Sequence, residues 1–311
     1  MSILRNIFTK VKYQRKKILL IEYNDSRVIK ASMDIVKDNI ANIYFLGDKK
    51  EIYNNINKIE QNFLNQYSIN VIEPKTIDKH IIKQVISTGD INLDLGHILL
   101  KNNIVDGMVS GATIHTKNML RSALKNVGLK DNIKTLSSYF LIESKFHKPL
   151  LFADCAVNIN PNAEQLSDIA LSTIESYRLL FERSPNVALL SYSTKCDKDN
   201  EYVKKIRDAV EIIRDKNKDI CIDGELQLDT AIIPEIAHKK APKSVIEGNA
   251  DILIFPNLDS GNIGYKLVER LGKCIATGPV LQGLNKPSND LSRGCSNKDI
   301  YNMIGITSIQ E

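Results

Sequence analysis

The chain has 311 residues, 43% of them hydrophobic, with 42 Lys and Arg against 37 Asp and Glu for a formal net charge of +5. It is too long for one ordinary core and too apolar for a disordered segment, so two domains are expected. The small positive excess suits an anionic ligand but falls far short of the basic patches of nucleic-acid binders, and no apolar run approaches the ~20 residues that span a bilayer. Five dispersed cysteines without a CxxC pair argue against a disulfide framework or a zinc site and for a reducing, cytoplasmic setting.

The N-terminal stretch holds Arg5, Lys10, Lys12, Arg15, Lys16 and Lys17 with no acid among them, and is read as a plain basic extension, too short and serine-poor for a transit sequence. Beyond it, short apolar runs alternate with longer amphipathic segments, the pattern of an α/β protein with largely parallel sheets. Lys17–Glu22 reads as a first strand, Asp25–Lys37 as its helix, and Ala41–Leu46 as a second strand closed by Gly47. Asp106–Ser110 precedes a helix over Thr116–Val127. Leu136–Ile142 and Pro149–Asp154 open a second sheet, Val187–Ser191 precedes a helix over Glu201–Arg214, and Asp251–Pro256 is a strand. Gly261 and Gly264 read as the turn after it, with a helix starting at Tyr265.

The most informative stretch is Gln282–Asp299, QGLNKPSNDLSRGCSNKD. Pro287, Asn289, Asp290 and Gly294 are turn formers, so this backbone is expected to be bent and irregular. Ser296 with Asp299 three residues on reads as a capping box that opens a helix. Ser292 and Arg293 then lie just ahead of a helix N-terminus, where unpaired N–H groups favour a phosphate or a developing negative charge. The alternative is that Asp299 only caps the helix and Arg293 only pairs with a surface carboxylate.

A second candidate is Ser110-Gly111-Ala112, between strand and helix, where open α/β sheets bind ligands beyond their strand ends. Gly111 admits close approach to the backbone, and Arg121, about one and a half turns past Thr116, is expected to face the same crevice if the helix begins near Ile114; the alternative is a tight turn and a surface arginine. Asp259–Gly264 has a similar setting and includes Asn262. Asp223–Asp229, DGELQLD, places three carboxylates in seven residues, read as an acid-rich helix N-terminus in preference to a metal site. The five histidines show no paired spacing, and no GxGxxG follows the first strand, which weakens a dehydrogenase reading.

Together these segments resemble the phosphate acetyl/butyryltransferase family. The runs DGMVSGA (106–112), FADCAVNINPNAEQLSDIA (152–170), LLSYSTK (189–195), DGELQLDTAIIPEIAHKKAP (223–242), IFPNLDSGNIGYKLVERLG (254–272) and GPVLQGLNKPSNDLSRGCSNKD (278–299) stand in family order. The resemblance implies two three-layer α/β domains of the isocitrate/isopropylmalate dehydrogenase-like kind with an active-site cleft between them, here residues 1–132 plus 282–311 and residues 133–281. It implies reversible acetyl transfer between acetyl-CoA and inorganic phosphate, giving acetyl phosphate and CoA by direct attack in a ternary complex. It further implies a homodimer, coenzyme A as substrate, and no tightly bound cofactor or metal. Carried over residue by residue, it makes Asp299 the general base, Ser292 and Arg293 catalytic, and Arg121 a phosphate ligand; Ser110, Gly111, Thr116, Asn262 and Asn285 are the further substrate-binding expectations. Cys295 offers a rival covalent route without a histidine neighbour in sequence. Two segments depart from the family pattern: SGATIHTKNMLR carries its histidine at His115 and Asn118 in place of an aspartate, and only Lys79 and Lys83 stand where a substrate-binding arginine is usual before Gly96. The alternatives are phosphate butyryltransferase or a broader short-chain acyltransferase, and a non-catalytic relative. A metal-dependent decarboxylating dehydrogenase would need clustered aspartates and a cofactor loop that the sequence lacks.

Overall fold

The computed structural model describes residues 3–12, 14–196 and 200–310. In chain order the elements are α1 (Ile3–Val11), β1 (Lys17–Leu20), α2 (Ser26–Lys37), β2 (Asn42–Leu46), α3 (Lys49–Ile59), α4 (Phe63–Gln66), β3 (Asn70–Ile72), α5 (Lys79–Ile82), α6 (Ile91–Lys101), β4 (Gly107–Ser110) and α7 (Thr116–Asn126). Then come β5 (Ser137–Glu143), β6 (Leu150–Ala153), α8 (Ala163–Phe181), β7 (Val187–Leu190), α9 (Glu201–Lys216), β8 (Ile222–Leu226), α10 (Leu228–Ile232), α11 (Pro234–Lys240), β9 (Ile252–Ile254), α12 (Leu258–Arg270), β10 (Ile275–Gln282), β11 (Ser288–Asp290) and α13 (Asn297–Thr307).

The chain divides into two compact units, residues 1–130 with 284–311 and residues 131–283. The first is built on a sheet ordered β11-β4-β1-β2-β3, parallel at every pairing. Ile18, Leu19 and Leu20 are fully buried at its centre, as a parallel sheet covered by helices on both faces requires. The second unit's sheet runs β10-β5-β6-β9-β7-β8, parallel from β6 to β8 and antiparallel where β5 meets β6 and β10.

Four local expectations are corrected. The basic N-terminal stretch is no plain extension: α1 buries Leu4, Ile7, Phe8 and Val11, an i, i+3, i+4, i+7 row, and Phe8 meets Tyr301 of α13 edge-on at 5.6 Å. Gly261 and Gly264 lie inside α12, because the Asn257 side chain accepts from Ser260 N and starts the helix earlier. A Cβ on Gly261 would stand 2.4 Å from Asp154 O, so this glycine lets the helix press against the end of β6. Asp223 and Glu225 lie on the buried strand β8, bound to Lys195 and Arg207, and only Asp229 falls in a first helical turn. Ser288–Asp290, expected to be irregular, is a strand beside β4, since three buried residues without an intervening proline complete the sheet edge.

Candidate active site

The site is assembled in the first unit from the C-terminal ends of β1, β4 and β11. Where β4 ends, Ser110 is fully buried and the chain turns through residues 111–115 into α7. The N–H groups of this turn are occupied. Glu22, just past β1, accepts from Gly111 N at 2.9 Å, Ala112 N at 3.0 Å, Thr113 N at 2.5 Å and Ile114 N at 3.1 Å, and from the Thr113 hydroxyl at 2.7 Å. A carboxylate that is 8% exposed needs such a set of donors to remain buried. The expected open cradle at Ser110-Gly111-Ala112 is therefore closed by the protein's own anion. Gly111, at φ +108°, is required for a different reason: a Cβ there would lie 2.2 Å from Asp290 Oδ1 and 2.7 Å from Leu291 N.

Asp290 pairs with Ser110 in the β11–β4 register. Its Oδ2 accepts from the Thr116 hydroxyl at 2.6 Å, so the first residue of α7 is held to β11. Among the described residues its Oδ1 and the Ser110 Oγ are buried without a hydrogen-bond partner. Burial pushes the Asp290 carboxyl up to about 7; the Thr116 hydrogen bond opposes the rise and the charge of Glu22 adds to it.

Beyond β11, the loop 291–296 is fastened by an arginine that sequence reasoning missed. Arg27 of α2 donates through one nitrogen to Arg293 O at 2.9 Å and Cys295 O at 2.8 Å, and through the other to Ala112 O at 3.1 Å and Asp25 Oδ2 at 2.7 Å. One guanidinium thus ties the two candidate segments together, as its planar fork of donors allows. The loop's own side chains stay available: Ser292 and Arg293 are exposed, and Ser292 Oγ accepts from Gly294 N at 3.3 Å. Among the described residues the Arg293 and Arg121 guanidinium groups have no hydrogen-bond or ion-pair partner, and Arg121 is likewise exposed. Cys295 is buried, and that burial pushes its thiol pKa up although Arg27 opposes the shift, which disfavours a thiolate nucleophile.

The capping box is present. Asp299 Oδ2 accepts from Ser296 N and Oγ at 2.8 Å each, while Asp299 N donates to Ser296 Oγ at 3.2 Å. The other oxygen, Oδ1, has no hydrogen-bond partner among the described residues, and the side chain is exposed. Asp299 is a cap on one oxygen and an open acceptor on the other.

Of the remaining candidates, Asn285 joins the end of α7, its N–H donating to Gly128 O at 3.0 Å and its side chain to Val127 O at 3.4 Å. Asn262 belongs to the second unit, on α12, and donates to Cys155 O at 3.0 Å. Sequence reading missed Glu22, Arg27 and Asp290; Asp25-Ser26-Arg27 was visible as a helix start, but nothing local links Arg27 to residues 266 positions later. It also passed over His97, which is fully buried between Ser122 Oγ at 2.7 Å and Ser288 Oγ at 2.9 Å and supports β11 from behind. Among the described residues no group of three or more His, Cys, Asp or Glu gathers as metal ligands, and no helix is long and apolar enough to cross a membrane.

Two α/β units, one of them presenting on a loop and a helix at its strand ends arginines with no partner among the described residues, define a protein built to receive an anion. A family model described as phosphate acetyl/butaryl transferase matches residues 2–308, and the chain belongs to that family. It is similar to the phosphate acetyltransferase of Thermoanaerobacterium thermosaccharolyticum, 40% identical over 326 residues with 100% of this chain and 99% of that one covered. It is also similar to the phosphate acetyltransferase of Clostridium acetobutylicum, 38% identical over 331 residues with 100% and 98% covered. The crystal structure of a phosphotransacetylase from Streptococcus pyogenes superposes with a TM-score of 0.90 at 37% identity, covering 100% of this chain and 99% of that one.

Proposed function

We propose that this chain is a phosphate acetyltransferase, which moves an acetyl group reversibly between coenzyme A and inorganic phosphate. The observation that carries the reading is Asp299, whose Oδ2 is fixed by the capping box while Oδ1 stays open beside a loop whose arginine has no partner among the described residues. A thiol of pKa ~8.5 is mostly protonated at neutral pH, so a carboxylate that takes its proton creates the nucleophile. The thiolate sulfur then attacks the carbonyl carbon of acetyl phosphate. A tetrahedral intermediate forms and collapses by breaking the bond to the phosphate oxygen, which leaves acetyl-CoA and phosphate. In this reading Arg293 and Arg121 hold the phosphate by charge-assisted bonds, and Ser292 with Arg293 stabilises the oxyanion. Ser110, Gly111 and Thr116 act by shaping the wall of the site; Asn285 is a further substrate contact.

Coenzyme A enters as a substrate and no resident cofactor is needed. The five dispersed cysteines, with no CxxC pair among them, support a cytoplasmic setting. A homodimer is supported by the exposed apolar residues Ile263 and Leu267 of α12 and Leu271 at its C-cap, with Ile275 at the start of β10 also exposed. The test is release of the coenzyme A thiol from acetyl-CoA on addition of phosphate, run beside acetyl, propionyl and butyryl phosphates in the reverse direction. Absence of turnover with every acyl phosphate would overturn the proposal, and a preference for butyryl phosphate would move the chain to the other branch of its family.

A further inference from the structure

The Asp290 carboxyl is buried, with one oxygen fixed by the Thr116 hydroxyl at 2.6 Å; among the described residues the other oxygen has no partner, and neither has the Oγ of Ser110, its register partner on β4. It stands two residues before Ser292 and is bonded to the first residue of the helix that carries Arg121. We propose that Asp290 is a positioning residue whose neutral acid form permits an anion at the Ser292–Arg293 loop, so that anion binding there and ionisation of Asp290 oppose each other. This deepens the phosphate-binding reading given above and rests on it.

The geometry carries the idea. A neutral carboxyl needs no full set of donors, which matches one satisfied oxygen; an ionised one would leave a buried, half-solvated charge. Glu22 shows the contrast, since its carboxylate gathers five donors within a short distance of the same turn. The titratable groups on the elements around β11 are Glu22 beyond β1, Asp94, His97 and Lys101 on α6, Lys117, Arg121 and Lys125 on α7, and Lys298, Asp299 and Tyr301 on α13. Of these, Glu22 is the one whose charge acts on Asp290, and it acts in the direction that keeps the proton on, toward an ionisation at about 7. Two residues span at most ~7 Å between Cα atoms, and like charges at that separation with an effective dielectric of ~20 weaken binding by ~10-fold or more.

Sulfate is the suitable probe because it keeps the same charge across the range in which phosphate itself titrates. Its dissociation constant is measured by calorimetry on the full chain and on Asp290→Asn at about pH 6 and about pH 8.5, apart from any activity assay. The expected result is ~10-fold weaker sulfate binding to the wild type at the higher pH and a flat profile for D290N, which then binds sulfate more tightly than the wild type there. Parallel pH slopes in the two proteins overturn the inference, even if D290N also melts at a lower temperature. Thr116→Val supplies a second test if D290N does not fold: loss of the hydroxyl donor makes ionisation harder and moves the sulfate transition up by about one pH unit, and an unmoved transition overturns the proposal. Turnover of acetyl-CoA with phosphate is scored separately, so a chain without activity fails the enzymatic reading while the sulfate profile still decides on Asp290.

Discussion

Asp299 carries two duties on two oxygens, and they separate by substitution. Asp299→Asn keeps an acceptor for Ser296 N and so most of the cap, while it removes the base; turnover is expected to fall by ~100-fold or more with little change in melting temperature. Asp299→Ala loses the cap as well and is expected to add a stability loss of ~0.5–2 kcal/mol, readable by thermal denaturation. A D299N variant with near-normal turnover would leave Asp299 as a cap alone. Arg293→Ala and Arg121→Ala remove side chains that have no partner among the described residues. Both are therefore expected to raise the KM for phosphate by ~10-fold or more at unchanged stability, because charge-assisted bonds to phosphate are worth ~1.5–3 kcal/mol. His97 behaves in the opposite way. Its burial lowers its pKa to about 4, so the unfolded chain binds the extra proton between about 6.5 and 4. The stability it contributes is complete above about pH 6.5 and is lost as pH falls through about 4, an effect on the order of 3 kcal/mol. His97→Gln is expected to show a shallower loss of melting temperature across that window.

The elements show why charge counts mislead at the N-terminus. In α1 every third or fourth residue is apolar and faces α13, the helix whose first turn holds Asp299. Phe8→Ala removes a side chain only 8% exposed and is expected to cost ~3 kcal/mol, with the deficit seen in the melting temperature of the intact chain. An unchanged melting temperature would mean that α1 does not brace α13. The short strand β11 is the other instructive element. Three residues suffice because Ser288, Asn289 and Asp290 each find a register partner on β4, and a turn-rich composition gives no hint of that pairing.

At the scale of the whole molecule, the exposed apolar residues on α12 predict self-association. Leu267→Glu is expected to halve the mass measured by light scattering; a wild type that is already monomeric at micromolar concentration would remove the dimer. Activity is expected to survive a chelator, since the proposed chemistry runs on a carboxylate, a hydroxyl and two arginines; loss with chelator and rescue by a divalent ion would contradict this.

Much of this protein was legible in its sequence. Alternation of apolar runs with amphipathic segments determined the α/β class, because a strand buried on both faces and a helix buried on one leave different periodicities. The Ser296–Asp299 spacing determined the capping box, since its bonds close within one turn. The family runs pointed to Ser292, Arg293, Asp299 and Arg121. Only the tertiary structure decided that Glu22 fills the turn after β4, that Arg27 fastens the Ser292–Cys295 loop, and that Asp290 is buried with an unpartnered oxygen. These are contacts between residues about 90 to 270 positions apart. Neither propensity nor spacing registers them, because the partner is chosen by which strand ends the sheet order brings side by side, and that order is set by the packing of the whole unit.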